Sequence, residues 1–416
     1  MHNFHTSIIK TAGMYAFVFA LAFAFRALAA GPTVSVEAVP RWPWNGKVDI
    51  TITVQGGTPP FSVTLQGHDR DRNRPVDIHT LSLDGGRNYT RAPYITVSSS
   101  PKTIKCVWDA AADHPTLNAS AFAVGAVLKP VYLIVNLETG EKRHSWTPPD
   151  LSDDACRTTE LWLRWIPAGT FIMGSPDDEL GRDSSETQHQ VTLTQGYWMG
   201  VFEVTQKQYE LITGGNPSYY KGDVRPVELV SYDDIRGTGV GASWPSGGHE
   251  VDAYSFLGKL RAKTGLPFDL PTEAQWEYAC RAGTTTALNS GKNLTATNNC
   301  PNMAEVGRYR YNRSDGKGGY REHTKVGCYL PNAWGIYDMH GNVWEWCLDR
   351  TGNSPSEAVT DPQGPATGSY RVLRGGHWSD WGDTTRGCRS AFRLARPPSA
   401  PGDKLFSYGF RLVSPP

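Results

Sequence analysis

The sequence predicts a two-domain protein in which an all-β, sandwich-like domain precedes an irregular α+β domain. In the first third of the chain, short apolar stretches alternate with turn residues, as is typical of antiparallel strands. In the remainder, only short helix signals stand between long irregular connections, and the 416 residues include 43 glycines, 29 prolines and 14 tryptophans. That composition favours many turns and a core held by large aromatic side chains. We therefore place the first domain at residues 31–151, a linker at 152–159 and the second domain at 160–416.

The first thirty residues have the composition of an export signal. Lys10 precedes an apolar stretch from Met14 to Phe25, which is too short to span a bilayer comfortably. Ala27 to Ala30 then supply the small side chains that a signal peptidase requires. Because Arg26 interrupts the end of this stretch, we expect residues 1–30 to be a cleaved signal peptide and not an uncleaved anchor, with no membrane span after cleavage. A secreted or periplasmic location follows, which would suit a Gram-negative bacterium.

The first domain is predicted from segments that have the two-residue period of strands. Turn-forming sequences such as Gly-Gly-Thr-Pro-Pro and Asp-Gly-Gly separate these segments. The predicted strands are Val48–Val54, Phe61–Leu65, Tyr94–Val97, Thr103–Trp108 and Val131–Val135. Because no His, Cys or acidic residues cluster among them, we expect a spacer or binding module rather than a catalytic domain.

The second domain begins with a predicted hairpin, whose arms Phe171–Ser175 and Val191–Leu193 flank a polar loop. Three short helices are then predicted from caps and apolar spacing. They are Val204–Ile212 with Thr205 as cap, Asp252–Lys263 before Gly265, and the segment from Thr272 to Arg281.

A Gly-Asn turn opens into the segment Val343-Trp344-Glu345-Trp346. Because side chains alternate along a strand, the two tryptophans share one face, and Val343 and Glu345 share the other.

Charge and cysteine content exclude several classes of function. The chain has 41 basic and 41 acidic residues, so it lacks the positive excess of proteins that bind nucleic-acid backbones. Seven cysteines in an exported chain allow disulfides but leave at least one thiol outside them. No two have Cys-x-x-Cys spacing, which argues against a zinc cluster.

Eight ordered segments of the second domain resemble the formylglycine-generating enzyme family, also called sulfatase-modifying factors. These segments are Phe171–Ser175, Phe202–Tyr209, Arg225–Asp233, Leu270–Ala279, Asn332–Trp346, Arg374–Gly376, Cys388–Arg393 and Tyr408–Leu412. The resemblance covers about residues 160–413. It implies the irregular α+β fold of that family, which is related to C-type lectin domains.

The resemblance also reveals a departure at the family's reactive centre. The family's enzymes oxidise a sulfatase cysteine to formylglycine with molecular oxygen and a copper(I) ion held by two cysteine thiolates. Counted from Gly376, the corresponding positions are Asp380 and Thr385. Hard oxygen ligands are poor for Cu(I), so we expect neither copper nor a catalytic residue of that chemistry here.

The cysteines nearest to this region leave alternatives open. A displaced copper site could use Cys347 and Cys388, although an ordinary disulfide between them is favoured. For Cys280, a third role is equally open, that of a lone buried cysteine that packs as a small hydrophobic side chain.

Calcium is the cofactor that the resemblance implies. One ion would be held by the side chains of Asp338 and Glu345 and by the backbone carbonyls of Gly341 and Val343. Oxygen ligands in an irregular loop suit this hard cation. The alternative is plain turn chemistry, with Glu345 solvated or paired to an arginine. The ligands of a second ion would be Asn302, Met303, Asp315 and Lys317.

The surface above the Arg374-Gly-Gly turn is the third candidate site. In the family's enzymes this region forms the groove for an extended substrate peptide, and aromatic side chains with a few polar groups suit a peptide or a sugar. The groove residues would be Trp344, His377, Trp378, Asp380, Trp381 and Arg386. The alternative places Trp344 or Trp346 in the core.

Two functional hypotheses follow from these sites. The first is a secreted member of this family that recognises a peptide or glycan ligand without oxidase activity. The second is a formylglycine-generating oxidase with a rearranged thiol site.

Overall fold

The computed structural model describes most of the chain between residue 32 and the C-terminus. The described ranges are 32–56, 61–78, 80–83, 85–86, 90–91, 95–97, 102–118, 122–128, 130–238, 244–312, 322–379, 385–400 and 406–416. The predicted signal peptide lies outside them and stays a prediction. The described residues divide into two compact units, with the boundary between residues 129 and 130.

The first unit is built from two antiparallel sheets, as the sandwich prediction requires. One sheet has the order β1-β2-β8-β5-β6. Its strands are β1 (Thr33–Pro40), β2 (Lys47–Gln55), β8 (Lys102–Asp109), β5 (Thr80–Ser82) and β6 (Thr90–Arg91). In the other sheet β3 (Phe61–Asp69) pairs with β4 (Arg74–Asp77), β7 (Ile95–Val97) and β9 (Phe122–Leu128). A single helical turn, α1 (Ala110–Asp113), follows β8.

The alternation of β2 shows why this segment forms a strand with one buried face. Val48, Ile50, Ile52 and Val54 are all at most 1% exposed, and the residues between them face outward more. The two sheets meet at an edge-to-face contact between the rings of Trp108 and Phe122, whose centroids are 5.7 Å apart.

Three sheets form the framework of the second unit. The largest has the order β11-β10-β12-β15-β21 and consists of β10 (Tyr132–Asn136), β11 (Lys142–Ser145), β12 (Glu160–Ile166), β15 (Tyr197–Gly200) and β21 (Val413–Ser414). A three-stranded sheet contains β13 (Gly169–Met173), β14 (His189–Leu193) and β17 (Val359–Thr360). A four-stranded sheet has the order β19-β18-β16-β20, from β19 (Leu394–Arg396), β18 (Arg371–Arg374), β16 (Trp344–Arg350) and β20 (Tyr408–Gly409).

The helices of this unit are short, and side chains that accept backbone hydrogen bonds begin most of them. They are α2 (Gln206–Thr213), α3 (Tyr232–Arg236), α4 (Phe256–Thr264), α5 (Glu273–Arg281) and α6 (Pro301–Val306), with 3₁₀ turns at Asp154–Arg157 and Arg386–Cys388. Thr205 and Thr272 form capping boxes, and Gly265 ends α4 in a left-handed conformation, as predicted. The predicted start of α4 at Asp252 is too early, because Ser255 is the actual N-cap.

The boundary between the units lies at 129/130 and not at 151. Strand β10, which was predicted to belong to the first domain, pairs along its whole length with β12 of the second unit. The predicted linker 152–159 is also part of that unit, because buried Arg157 donates from Nε to the carbonyl of Val326 at 2.9 Å. Strand period reveals that a segment is extended, but it does not reveal the strand with which it pairs.

Strand β16 has two buried faces with different neighbours. Trp344 and Trp346 pack into one hydrophobic cluster, while Cys347 belongs to another. Glu345, between the two tryptophans, is fully buried on the opposite side. The predicted alternation is therefore present. Among the described residues, no helix combines the length and the apolar character needed to cross a bilayer.

Candidate functional site

Of the two positions that the resemblance assigns to copper-binding cysteines, Asp380 and Thr385, only Thr385 is described. Thr385 is fully buried, and its hydroxyl donates a hydrogen bond to the carbonyl of Asn298. Asp380 and its neighbour Trp381 lie outside the described residues. The oxygen of Thr385 is thus directed to a backbone partner.

All seven cysteines are described, and each is a thiol. The predicted Cys347–Cys388 disulfide is therefore wrong; the two residues lie in different hydrophobic clusters. Cys280, as predicted, is buried. Burial raises the pKa of Cys280 and of Cys388 to about 12, and it raises the pKa of Cys347 well above its usual value. These three thiols remain protonated at neutral pH, so none is a ready thiolate ligand.

His340 joins two segments of this region through its two ring nitrogens. The backbone N–H of Asn289 donates to His340 Nε2 at 3.0 Å, so the proton must reside on Nδ1, which lies 2.6 Å from the carbonyl of Cys388. Burial lowers the pKa of His340 to about 4, so the ring is neutral. Glycine is required at position 376, because a Cβ there would lie 2.5 Å from the sulfur of Cys388.

The first predicted calcium site contains one uncommitted oxygen. Asp338 accepts a hydrogen bond at Oδ2 from the N–H of Gly327 at 2.6 Å, whereas its buried Oδ1 has no hydrogen-bond partner. Burial raises the pKa of Asp338 to about 6. Such an oxygen is what a cation ligand needs.

Glu345, the other predicted carboxylate ligand, is fully engaged. Both of its oxygens accept hydrogen bonds from Arg411, the shortest at 2.7 Å from Nη2, and Oε2 also accepts from the indole of Trp276 at 2.7 Å. Arg411 is itself fully buried and donates to two backbone carbonyls, those of Gly200 and Tyr337. The sequence left pairing of Glu345 to an arginine open as an alternative to calcium, and this pairing is present.

A third buried carboxylate, Glu203, was missed by the sequence analysis. It accepts hydrogen bonds from the side chain of Asn342 at 2.6 Å and from the N–H of Val343 at 3.1 Å. Burial raises its pKa well above the usual value, and the charges of Asp338 and Glu345 raise it further. Its position in the segment Phe202-Glu-Val-Thr, which carries the family resemblance, was the available signal.

Predicted calcium ligands therefore fit a cation only in part. Gly341 and Val343 stand in the turn between Asp338 and Glu345, but Glu345 would have to exchange a hydrogen bond for the ion. Within the described residues, no group of three or more His, Cys, Asp or Glu side chains is arranged to hold a metal ion.

The second predicted set is described only at one end. Asn302 and Met303 lie on α6, where the amide of Asn302 donates to the carbonyl of Asn293 at 2.8 Å and the Met303 carbonyl accepts from Gly307. Asp315 and Lys317 lie outside the described residues.

The predicted groove residues that are described lie mostly inside the protein. Trp344, His377 and Trp378 are 6%, 5% and 4% exposed, and the rings of Trp344 and His377 stack with centroids 5.9 Å apart. Arg386 is half-buried and pairs with Asp183 at 3.2 Å. These aromatic rings support the surface and are not themselves an open groove.

An aromatic pair not foreseen from the sequence covers this region. Tyr219 is 61% exposed and stacks on Phe406 at 4.1 Å, and the N–H of the Trp378 indole donates to the carbonyl of Phe406. Tyr220 meets Trp378 edge-to-face at 5.4 Å. In the sequence, Tyr219 and Tyr220 follow Asn-Pro-Ser, a pattern that predicts only a turn.

Comparison with known proteins decides the family. A family model described as "Sulfatase-modifying factor enzyme 1-like domain" matches residues 149–415, more than half of the chain. The chain belongs to the sulfatase-modifying factor family. The predicted membership is thus confirmed, as is the fold class of an irregular α+β domain of this family after a β domain.

Relatives of this sulfatase-modifying factor family member carry different names. The formylglycine-generating enzyme of Mus musculus is 28% identical over 60% of this chain and 74% of the mouse protein. The serine/threonine-protein kinase pkn1 of Chlamydia pneumoniae is 32% identical over 61% of this chain and 37% of the chlamydial protein. Among solved structures, Treponema denticola variable protein 1 is 27% identical and covers 62% of this chain and 96% of its own, with a TM-score of 0.49.

Proposed function

We propose that the second unit recognises a peptide or glycan ligand and does not generate formylglycine. The observation that carries this proposal is Thr385, which the resemblance assigns to a copper position and which is buried with its hydroxyl donating to the Asn298 carbonyl. A neutral hydroxyl that already donates to a backbone carbonyl is a poor ligand for a soft cation such as Cu(I).

The state of the nearby thiols supports the same proposal. Cys280, Cys347 and Cys388 are each fully buried. Burial raises the pKa of Cys280 and of Cys388 to about 12 and raises the pKa of Cys347 well above its usual value. Binding Cu(I) would require two of them to lose their protons and to approach each other.

Relatives of this domain also support a function other than oxidation. The chlamydial protein named serine/threonine-protein kinase pkn1 matches 61% of this chain over 37% of its own length, and its name does not describe formylglycine generation. A shared domain does not by itself carry an activity, because function depends on the residues of the site.

An oxidase with a rearranged thiol site remains the second candidate, because one further cysteine differs from the others. Burial alone would raise the pKa of Cys300, but hydrogen bonds from the N–H and hydroxyl of Thr295 outweigh it, and the pKa is lowered. Cys300 and Cys388 belong to the same hydrophobic cluster. A relocated copper site would use these two sulfurs.

An oxidation assay separates the two candidates. We expect the full chain, incubated with copper, oxygen and a Cys-x-Pro-x-Arg peptide, to leave the peptide thiol intact in mass spectra, because the family's thiolate pair is missing. Aldehyde formation that Cys300→Ser or Cys388→Ser abolishes would establish the oxidase instead. A double substitution, Asp380→Cys with Thr385→Cys, tests whether restoring sulfur at the family positions restores the reaction.

We also propose that calcium binds at Asp338. Its buried Oδ1 lacks a hydrogen-bond partner, and Glu203, Asp338 and Glu345 are three buried carboxylates near two buried guanidiniums. Arg411 pairs with Glu345, and the charge of Arg157 favours the ionised form of Asp338. A divalent cation would offset the remaining negative charge.

Thermal unfolding with and without calcium checks this site. Because an ion that binds only the folded state stabilises it, calcium should raise the Tm of the wild-type chain, and Asp338→Ala should remove most of that rise. Asp361→Asn is the matched control, since Asp361 is exposed and bonded to Thr194. An equal rise in Asp338→Ala, or no rise in the wild type, would contradict the proposal.

A further inference from the structure

An open cleft of about 430 Å³ lies in the second unit, lined by residues that include none of the predicted site residues. Its lining comes from strands β14, β15 and β21, the start of α5, and the segments around Trp244 and Pro362. The volume is within the range of sites for small ligands.

One wall of the cleft presents an imidazole that a buried carboxylate orients. The side chain of His249 is 60% exposed, and its Nδ1 lies 2.8 Å from Oδ2 of Asp269, whose side chain is 2% exposed. Arg236 donates to both oxygens of Asp269, at 2.8 and 2.9 Å. Because the ionised carboxylate of Asp269 can only accept hydrogen bonds, the neutral imidazole of His249 carries its proton on Nδ1. The lone pair of Nε2 is then presented outward.

Trp244, which also lines the cleft, packs against this imidazole. Its buried ring lies 4.8 Å from the His249 ring between centroids, and its indole N–H donates to the carbonyl of Gln363 at 3.0 Å. The imidazole and the Gln363 segment are therefore held by the same side chain, which pre-organises both sides of the cleft.

The other polar groups of the cleft are mostly uncharged. Gln195 and Gln363 are exposed, and no hydrogen bond recorded among the described residues uses their side-chain amides. Asp361 is occupied by Thr194, whose N–H donates to Oδ1 at 2.9 Å. The apolar lining is supplied by Tyr197, Pro267, Pro362, Val413 and Pro415.

We propose that this cleft binds an uncharged, hydroxyl-bearing ligand, a saccharide unit, with Nε2 of His249 accepting a hydrogen bond from a ligand hydroxyl. This inference rests on the proposed ligand-recognition function and locates it away from the buried Trp344 and His377. Two amides and an imidazole acceptor around an apolar floor suit hydroxyl groups, and Arg236 already neutralises the charge of Asp269.

The alternative of an extended peptide is disfavoured by the strand edges. β21 pairs with β15 on one side, and on the other Val413 exchanges backbone hydrogen bonds of 2.8 and 2.9 Å with Asp269. A peptide would thus find no free edge here for strand addition.

The test is a calorimetric titration of the full chain with a panel of uncharged gluco-, manno- and galacto-configured oligosaccharides. His249→Asn keeps a donor for Asp269 and removes Nε2, so it should weaken saccharide binding at least about tenfold with an unchanged Tm. His144→Asn is the matched control, because His144 is also exposed and its ring is tilted against that of Trp198, but it lies on β11 outside the cleft.

The outcomes separate the cleft from the broader function. Loss of binding in His249→Asn but not in His144→Asn supports the proposal. Saccharide binding that His249→Asn leaves unchanged overturns the cleft while the ligand-recognising function stands. Binding of unstructured peptides but of no saccharide overturns the ligand class alone. If neither kind of ligand binds, both the cleft and the function fail.

Discussion

Buried carboxylates of the second unit differ in charge state because of the cations beside them. Burial alone would raise the pKa of Glu277, but Arg281 and Arg374 outweigh it and the pKa is lowered. For Asp349, burial and, after it, the charge of the neighbouring Glu273 raise the pKa to about 7. Both side chains are at most 3% exposed, so the difference comes from their neighbours and not from solvent.

Asp349 should make stability fall as pH rises. Below about pH 4 the carboxyl is protonated in both states; between there and about pH 7 only the unfolded chain ionises, which favours unfolding. The loss is complete above the folded pKa and amounts to roughly 4 kcal/mol at most, at about 1.4 kcal/mol per pKa unit. Asp349→Asn should therefore be more stable than the wild type at pH 8 but not at pH 4, by urea denaturation.

The corresponding substitution at Glu277, whose pKa is lowered, should have the opposite effect on stability. Glu277→Gln leaves Arg281 and Arg374 without their buried carboxylate and should be less stable than the wild type at pH 8. Parallel pH profiles for the wild type and Asp349→Asn would show that Asp349 ionises normally in the folded chain.

Helix α5 is the element that connects the framework to the candidate sites. Its Trp276 donates to Glu345, and its Glu277 pairs with Arg374 just before the Gly375-Gly376 turn. Thr272 begins the helix with a capping box, in which its hydroxyl accepts from Gln275 N–H and its own N–H donates to the Gln275 side chain. The capping box at Thr272 therefore helps to position the side chains of Trp276 and Glu277, which lie in the first turns of the helix.

Removing this cap should destabilise the unit by a predictable amount. Thr272→Ala should lower the free energy of unfolding by about 1 kcal/mol, because a helix N–H loses its acceptor. Thr272→Ser keeps the hydroxyl and should stay close to the wild type in chemical denaturation. A serine variant as unstable as the alanine variant would show that the methyl group, and not the cap, matters.

Local elements were predictable from the sequence, whereas their partners were not. Caps such as Thr205 and Thr272 act within three residues, so the sequence carries the whole interaction. The pairing of β10 with β12 joins residues about thirty apart, and period alone assigned β10 to the wrong unit. The site followed the same rule: the motif identified Asp338 and Glu345, but the buried Arg411 partner and the orienting pair His249–Asp269 required the fold.

For the whole molecule, the unit boundary determines which fragment should fold. The family match begins at residue 149, but β10 lies between β11 and β12 in the largest sheet of the second unit. Val135 of β10 is fully buried. A fragment that begins at 149 lacks both β10 and β11. It would leave the edge of β12 open and remove Leu133, Ile134 and Val135 from the interior.

Expression of two fragments checks this boundary. We expect residues 130–416 to unfold cooperatively in thermal circular dichroism, and we expect residues 149–416 to aggregate or to melt at a much lower temperature. Equal melting of the two fragments would show that β10 and β11 are dispensable for the fold.

The distribution of sulfur has a practical consequence for handling this protein. Six of the seven thiols are buried, and Cys328 is exposed. A maleimide dye or spin label added to the native chain would attach at one defined position without mutagenesis. In an oxidising medium the same atom would join two copies of the chain covalently, so storage with a reductant, or Cys328→Ser, would keep the preparation monodisperse.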